Sequence, residues 1–247
     1  MLPVAESKSA KTISLPTALS PARRSGEDAQ KLMAHTYYGL RYGIGIAAFF
    51  LPLGTRVGQQ HLTGHSLPQS ISGYYHTGMR NYFVATLVLI AGFLMMYQGF
   101  NQLENWLLNL AGLATVGMAF FPTGCDSGAT QCATYSAPAV HGICAIIAFG
   151  SIGVVAVFLG SSNLDLLKDP KQVKRYRITY TALGAAMIIL PLVTAGLAAL
   201  DVASLYWIEL VAMWVFVAYW AVKTIEFRST HAETRAIEGT LPGPQHA

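Results

Sequence analysis

Two serines, two tyrosines, a histidine and an arginine crowd into residues 70–81, the run Ser-Ile-Ser-Gly-Tyr-Tyr-His-Thr-Gly-Met-Arg-Asn. His76 and Arg80 are four residues apart, so a helix beginning before Tyr82 carries both on one face. Arginine pairs with anionic groups, and imidazole gives or takes protons near neutral pH. Tyr74 and Tyr75 add phenolic hydroxyls to the same stretch. Two more ionisable side chains stand inside apolar runs. His141 follows Pro138, and Glu209 lies within Leu-Tyr-Trp-Ile-Glu-Leu-Val-Ala-Met-Trp. A charge at the centre of a membrane span costs about 2.5–3.5 kcal/mol on insertion scales, so each of these residues calls for a reason.

The elements that must position them are membrane helices. The chain has 247 residues, 53% of them hydrophobic and 11% charged, with a mean hydropathy of +0.43. A soluble domain carries about 25% charged residues. Six apolar runs, near 37–57, 82–100, 103–121, 138–160, 178–199 and 205–225, each approach the roughly 20 residues needed to cross a hydrocarbon core. Within lipid the backbone must satisfy its own hydrogen bonds, so the expected fold is an all-α, six-helix polytopic bundle. The expected organisation is a disordered cytoplasmic tail at 1–34, a transmembrane domain at 35–226 and a second cytoplasmic tail at 227–247. Pro52 and Pro191 fall within apolar runs and are expected to kink their helices. Gly112, Gly117, Gly150, Gly153 and Gly184 read as packing positions.

Charge asymmetry orients the bundle. Lys8, Lys11, Arg23, Arg24 and Lys31 precede the first run, and Lys168, Lys171, Lys174, Arg175 and Arg177 separate the fourth from the fifth. Lys223, Arg228 and Arg235 mark the far terminus, so all three segments, and both termini, are assigned to the cytoplasm. The formal charge of +4 is no sign of nucleic-acid binding, because no basic patch is interleaved with aromatics and no zinc-finger or helix-turn-helix pattern occurs. Residues 58–81, 123–137 and a turn at Asp201 then face outward. An oxidising exterior would let Cys125 and Cys132 form a disulfide, the alternative being two free thiols, and Cys144 reads as a packing residue.

With that orientation His76, Arg80, His141 and Glu209 share the outer third of the bundle. One reading is an outward-opening pocket in which Arg80, with Tyr74 and Tyr75 beside it, holds an anionic, lipid-like or amphiphilic ligand, and His76, His141 and Glu209 handle protons. The other is a structural Arg80–Glu209 ion pair with hydrogen-bonded histidines. A metal-dependent hydrolase would use His76, His141 and Glu209 around zinc. A b-type haem would sit between His76 and His141. His61 and His65 have the i, i+4 spacing of a chelating pair but lack an adjacent glutamate. Ser70 and Ser72 lie near His76, without a Gly-x-Ser-x-Gly element. On the inner side Gln98, Asn101, Glu104, Asn105 and Asn109 read as interhelical hydrogen-bonding residues. Arg41 and Tyr176 read as interfacial anchors, and Trp106, Trp207 and Trp220 as aromatic-belt residues.

The run at residues 70–84, followed by Met-Met-Tyr-Gln-Gly-Phe, Leu-Ala-Gly-Leu-Ala-Thr-Val-Gly-Met-Ala-Phe-Phe-Pro-Thr and His141, resembles bacterial membrane proteins of the domain-of-unknown-function nine-nine-eight type. That resemblance covers about the second to fourth helices. It implies a multispanning membrane protein and no particular reaction. Alkaline-ceramidase-like transmembrane hydrolases differ, since their late His-x-x-x-His helix has no counterpart in the last two runs. The leading expectation is thus an accessory inner-membrane protein with an outward-facing lipid-binding pocket. Its expected partners are membrane lipids and either a membrane-complex subunit or a second copy of the chain.

Overall fold

The computed structural model describes residues 26–64, 67–125, 129, 132–200, 204–230 and 235. Among them lie six α-helices: α1 (Gly26–Gly58), α2 (Arg80–Met96), α3 (Gln102–Phe120), α4 (Pro138–Val154), α5 (Pro170–Ala199) and α6 (Tyr206–Thr230). No strand occurs among these residues. Three helices are long and apolar enough to cross a membrane: α4 with its π-helical extension to Leu159, α5 and α6; α2 is shorter and also apolar. The expectations for residues 1–25, His65, Asp201, 231–234 and 236–247 lie outside the described residues.

Local chemistry accounts for the helix starts. Asn101 caps α3 by accepting from the Glu104 amide at 2.8 Å, while the Glu104 carboxylate accepts from the Phe100 amide at 3.0 Å, a reciprocal arrangement like a capping box. Asp169 accepts from the Lys171 amide at 2.9 Å with Pro170 at the first helical position. Pro138 likewise stands at the start of α4, there without a side-chain cap. Asn101 and Asn105 therefore serve the α2–α3 turn, Asn105 accepting from the Gly99 amide, rather than bonding across helices. Three boundaries differ from expectation. α1 begins at Gly26, inside the segment read as the first tail, α5 begins at Pro170, so the basic residues after it ride on a helix, and α6 runs to Thr230, into the segment read as the second tail.

Each helix packs against its chain neighbours, and α6 closes the ring on α1. α4 and α5 approach most closely where Gly153 faces Gly184. A Cβ on Gly153 would come within 2.8 Å of the Gly184 carbonyl, and the reverse substitution within 2.7 Å of the Gly153 carbonyl. These two glycines are packing positions as read from sequence, whereas a Cβ on Gly150 would meet nothing. Pro52 and Pro191 both sit inside continuous helices.

At the end of the bundle where α1 begins and α6 finishes, four charged side chains are buried: Arg41, Glu104, Lys223 and Glu226, none more than 3% exposed. Lys223 Nζ donates to Glu226 Oε2 at 2.9 Å and to the Gly160 carbonyl at 2.8 Å, and the Tyr180 hydroxyl donates to the same Oε2 at 2.5 Å. Arg41 donates to the Tyr97 hydroxyl and lies 3.8 Å from the centre of the Phe227 ring. This corrects two expectations. Arg41 is a buried member of a charge layer and not an interfacial anchor, because Tyr97 and Phe227 enclose its head. Trp220 is likewise buried, edge-on to Tyr97, Phe216 and Tyr219, while Trp106 and Trp207 remain exposed.

Removing one member of a buried ion pair strands the other, at about 3–5 kcal/mol. Glu226→Ala is expected to lose about that much, read as an earlier unfolding midpoint in detergent micelles, with Glu226→Gln losing less. An unchanged midpoint in Glu226→Ala would show that the Lys223–Glu226 pair does not hold α4, α5 and α6 together.

Candidate functional site

The opposite end is organised by a reciprocal cap between α6 and the segment that precedes α2. The Gln69 carbonyl accepts from the amides of Leu205 and Tyr206 at 2.9 and 2.8 Å, at the start of α6. Glu209, in the first turn of α6, returns the bond: its Oε2 accepts from the amides of Ile71 and Ser72 at 2.7 and 3.1 Å. Those amides open the 3-10 turn Ser72–His76, whose own start is tightened by a bond from the Gly73 amide to Ser70 Oγ at 2.8 Å. A carboxylate is well placed at such amides, where the orphan N–H groups of a helical start converge.

His76, 1% exposed, sits at the end of that turn and grips the loop at 123–137. Its Nδ1 accepts from the Ala133 amide at 3.2 Å, and its Nε2 lies 2.9 Å from the Thr123 carbonyl. An amide can only donate and a carbonyl only accept, so these partners define a neutral imidazole with its proton on Nε2. The two gripped residues flank Cys125 and Cys132, which are joined as a disulfide with Cα atoms 5.6 Å apart.

Between the reciprocal cap and this loop lies a cavity of ≈ 320 Å³. Its walls are mainly apolar, with Leu51, Phe83, Leu87, Met118, Phe149 and Met213 among them, and its polar lining includes Ser72, His141, Thr194 and Glu209. A smaller apolar cavity of ≈ 30 Å³ shares Leu87, Met118, Phe149 and Met213 with it and reaches toward Phe216. His141, in the first turn of α4 and 5% exposed, bonds through Nδ1 to the Phe121 carbonyl at 2.9 Å and through Nε2 to Ser72 Oγ at 3.1 Å.

Of the residues singled out in sequence, His141 and Glu209 therefore share one cavity wall, and Ser72 joins them. His76, Arg80, Tyr74 and Tyr75 are not part of that lining. Arg80 is exposed; it donates to the Tyr75 hydroxyl at 2.6 Å and lies 4.3 Å from that ring's centre, so its charge is directed at Tyr75 and not at Glu209. Tyr74 is a core residue at 0% exposure. Tyr135, in the loop, donates to the Phe120 carbonyl at 2.6 Å. Among the described residues no three His, Cys, Asp or Glu side chains gather as a metal-binding group. The expected zinc set of His76, His141 and Glu209, and a haem between His76 and His141, do not fit this arrangement, because backbone groups hold both nitrogens of His76. His61 is exposed.

The bond to Ser72 carries no sequence signal, since Ser72 and His141 are 69 residues apart. What sequence could have offered is a serine just before the second apolar run and a histidine at the start of the fourth.

His76→Phe keeps the ring volume and removes both bonds to the loop. With each worth about 1 kcal/mol net, it is expected to cost about 2 kcal/mol and to speed proteolysis within residues 123–137, compared with the native chain at equal temperature. Equal cleavage rates would show that the disulfide alone fixes the loop. Comparison of this chain with protein-family models, curated proteins and solved structures finds no match, so the site rests on its own geometry.

Proposed function

We propose that this chain is a six-span protein of the bacterial inner membrane, with cytoplasmic termini, whose outward-facing cavity holds a single-chain amphiphile. The resemblance to the domain-of-unknown-function nine-nine-eight type belongs to the same reading. Three helices long and apolar enough to cross a membrane support it, as does the ring that α1, α2 and α3 complete with them. The disulfide favours an oxidising compartment for the loop end, and the lysines and arginines around residues 168–177 and 223–235 favour the cytoplasm for the other.

The observation that carries the reading is the cavity itself. Small-molecule sites are apolar concavities of about 300–1,000 Å³ with a few convergent polar groups. At ≈ 320 Å³ this one accommodates one acyl chain in preference to a whole two-chain lipid. The smaller apolar cavity beyond it extends the path for a chain end.

The head group follows from the charges. Arg80 stands outside the lining, and Glu209 contributes a carboxylate to it. Like charges brought together in a poorly solvated site repel strongly. The reading therefore replaces the anionic head group expected from Arg80 with a neutral or zwitterionic one beside Ser72, His141 and Glu209.

Native mass spectrometry tests this with an ether-linked lysophosphatidylcholine and a fatty-acid anion of equal chain length. One lysophosphatidylcholine is expected to be retained per chain, at least tenfold more tightly than the anion. Ala145→Trp, which fills the cavity, is expected to abolish retention while keeping the unfolding midpoint; equal retention by that variant would overturn the reading. For topology, in a Cys144→Ala background, Ser136→Cys is expected to react with a membrane-impermeant maleimide in intact cells. Lys168→Cys is expected to react only after permeabilisation, and the opposite pattern would invert the orientation.

A further inference from the structure

The Ser72–His141 contact has the relation of a nucleophile to its general base. The Phe121 carbonyl, 2.9 Å from His141 Nδ1, can only accept, so Nδ1 carries the imidazole proton. Nε2 then presents its lone pair to Ser72 Oγ at 3.1 Å, and the Ser72 hydroxyl donates to it. A backbone carbonyl thus takes the orienting place that a carboxylate occupies in Ser-His-Asp triads.

Three further features bear on the same atoms. Both residues line the cavity, so a guest's polar end reaches them. Glu209 holds the amides of Ile71 and Ser72, which fixes the turn that presents the hydroxyl, and acts as a positioning residue. Thr123 lines the same cavity, and its buried Oγ1 has no hydrogen-bond partner among the described residues. An unpartnered hydroxyl there is a donor available to a developing oxyanion.

We propose that Ser72 and His141 are the nucleophile and general base of a membrane hydrolase acting on a neutral carboxylic ester of an amphiphile, a proposal that rests on the cavity reading above. Ser72 Oγ adds to the ester carbonyl carbon as its proton passes to His141 Nε2. The carbon–oxygen bond to the alcohol then breaks, and the alcohol leaves with that proton, so that the acyl group is bound to Ser72. Water adds to the acyl carbon, giving a proton to Nε2. Ser72 Oγ departs and takes this proton back, releasing the carboxylic acid. Once ionised, that product is repelled by the Glu209 carboxylate, as the neutral ester is not, and its exit is favoured.

The test uses the full chain in nanodiscs and a long-chain alkyl fluorophosphonate. Attack by Ser72 breaks the P–F bond and forms an O–P bond, detected as an intact-mass increase and mapped by peptide sequencing. One label on Ser72 is expected, absent in Ser72→Ala. In His141→Gln labelling is expected to slow by roughly 100-fold or more, the size of a general-base contribution. Each variant's unfolding midpoint, and retention of one ether-linked lysophosphatidylcholine, which has no ester to cleave, by native mass spectrometry, report folding and cavity occupancy separately. A native chain that retains the lysolipid without labelling at Ser72, or whose labelling rate is unchanged in folded His141→Gln, overturns the hydrolase and leaves the cavity reading intact. Loss of both retention and labelling in the native chain overturns the two together.

Discussion

The exchange of hydrogen bonds between α6 and residues 69–72 is the constraint on which the loop end of this bundle depends. Irregular backbone at membrane depth is tolerated only where it is buried in protein or lines a water-filled cavity. Gln69 supplies a carbonyl to the first amides of α6, and Glu209 of α6 supplies a carboxylate to the amides of Ile71 and Ser72. Each segment completes the other. The turn that follows is held in place as a result, and with it the hydroxyl of Ser72 and the ring of His76.

Two histidines meet that turn and do different work, His76 closing it and His141 reaching it from α4. His76 is a clamp whose two ring nitrogens bond backbone on either side of the Cys125–Cys132 disulfide. His141 uses one nitrogen for the Phe121 carbonyl and turns the other to a side chain at the cavity wall. A ring whose two nitrogens are both bonded to backbone is a structural element. One that offers a nitrogen to a hydroxyl inside a cavity can move a proton.

The other end of the bundle meets the burial of polar groups by a different route. Arg41, Glu104, Lys223 and Glu226 are set among Tyr97, Tyr180, Phe227 and the Gly160 carbonyl, so charge is matched by charge and by aromatic faces. Trp220 and Phe216 stand between this layer and the apolar extension of the cavity. The six helices thus bracket a cavity lined mainly by apolar side chains with a hydrogen-bonded cap at one end and an ionic layer at the other.

Much of this bundle can be read directly from the chain. Helical content, the positions of six helices and three sufficiently apolar spans follow from long hydrophobic runs, because segments of that length in lipid have few other ways to satisfy their backbone. Asn101, Pro138 and Asp169–Pro170 mark helix starts through local capping chemistry, and Cys125 and Cys132 lie close enough in sequence to pair. Only the tertiary structure decided which polar residues meet. Arg41 and Arg80 both adjoin apolar runs, yet one is buried and the other exposed, because burial depends on how each helix is rotated against its neighbours. For the same reason Ser72 and His141 meet across 69 residues and Glu209 reaches Ile71 across 138. Periodicity places a residue on a helix and at a depth; the partner it faces there is set by packing.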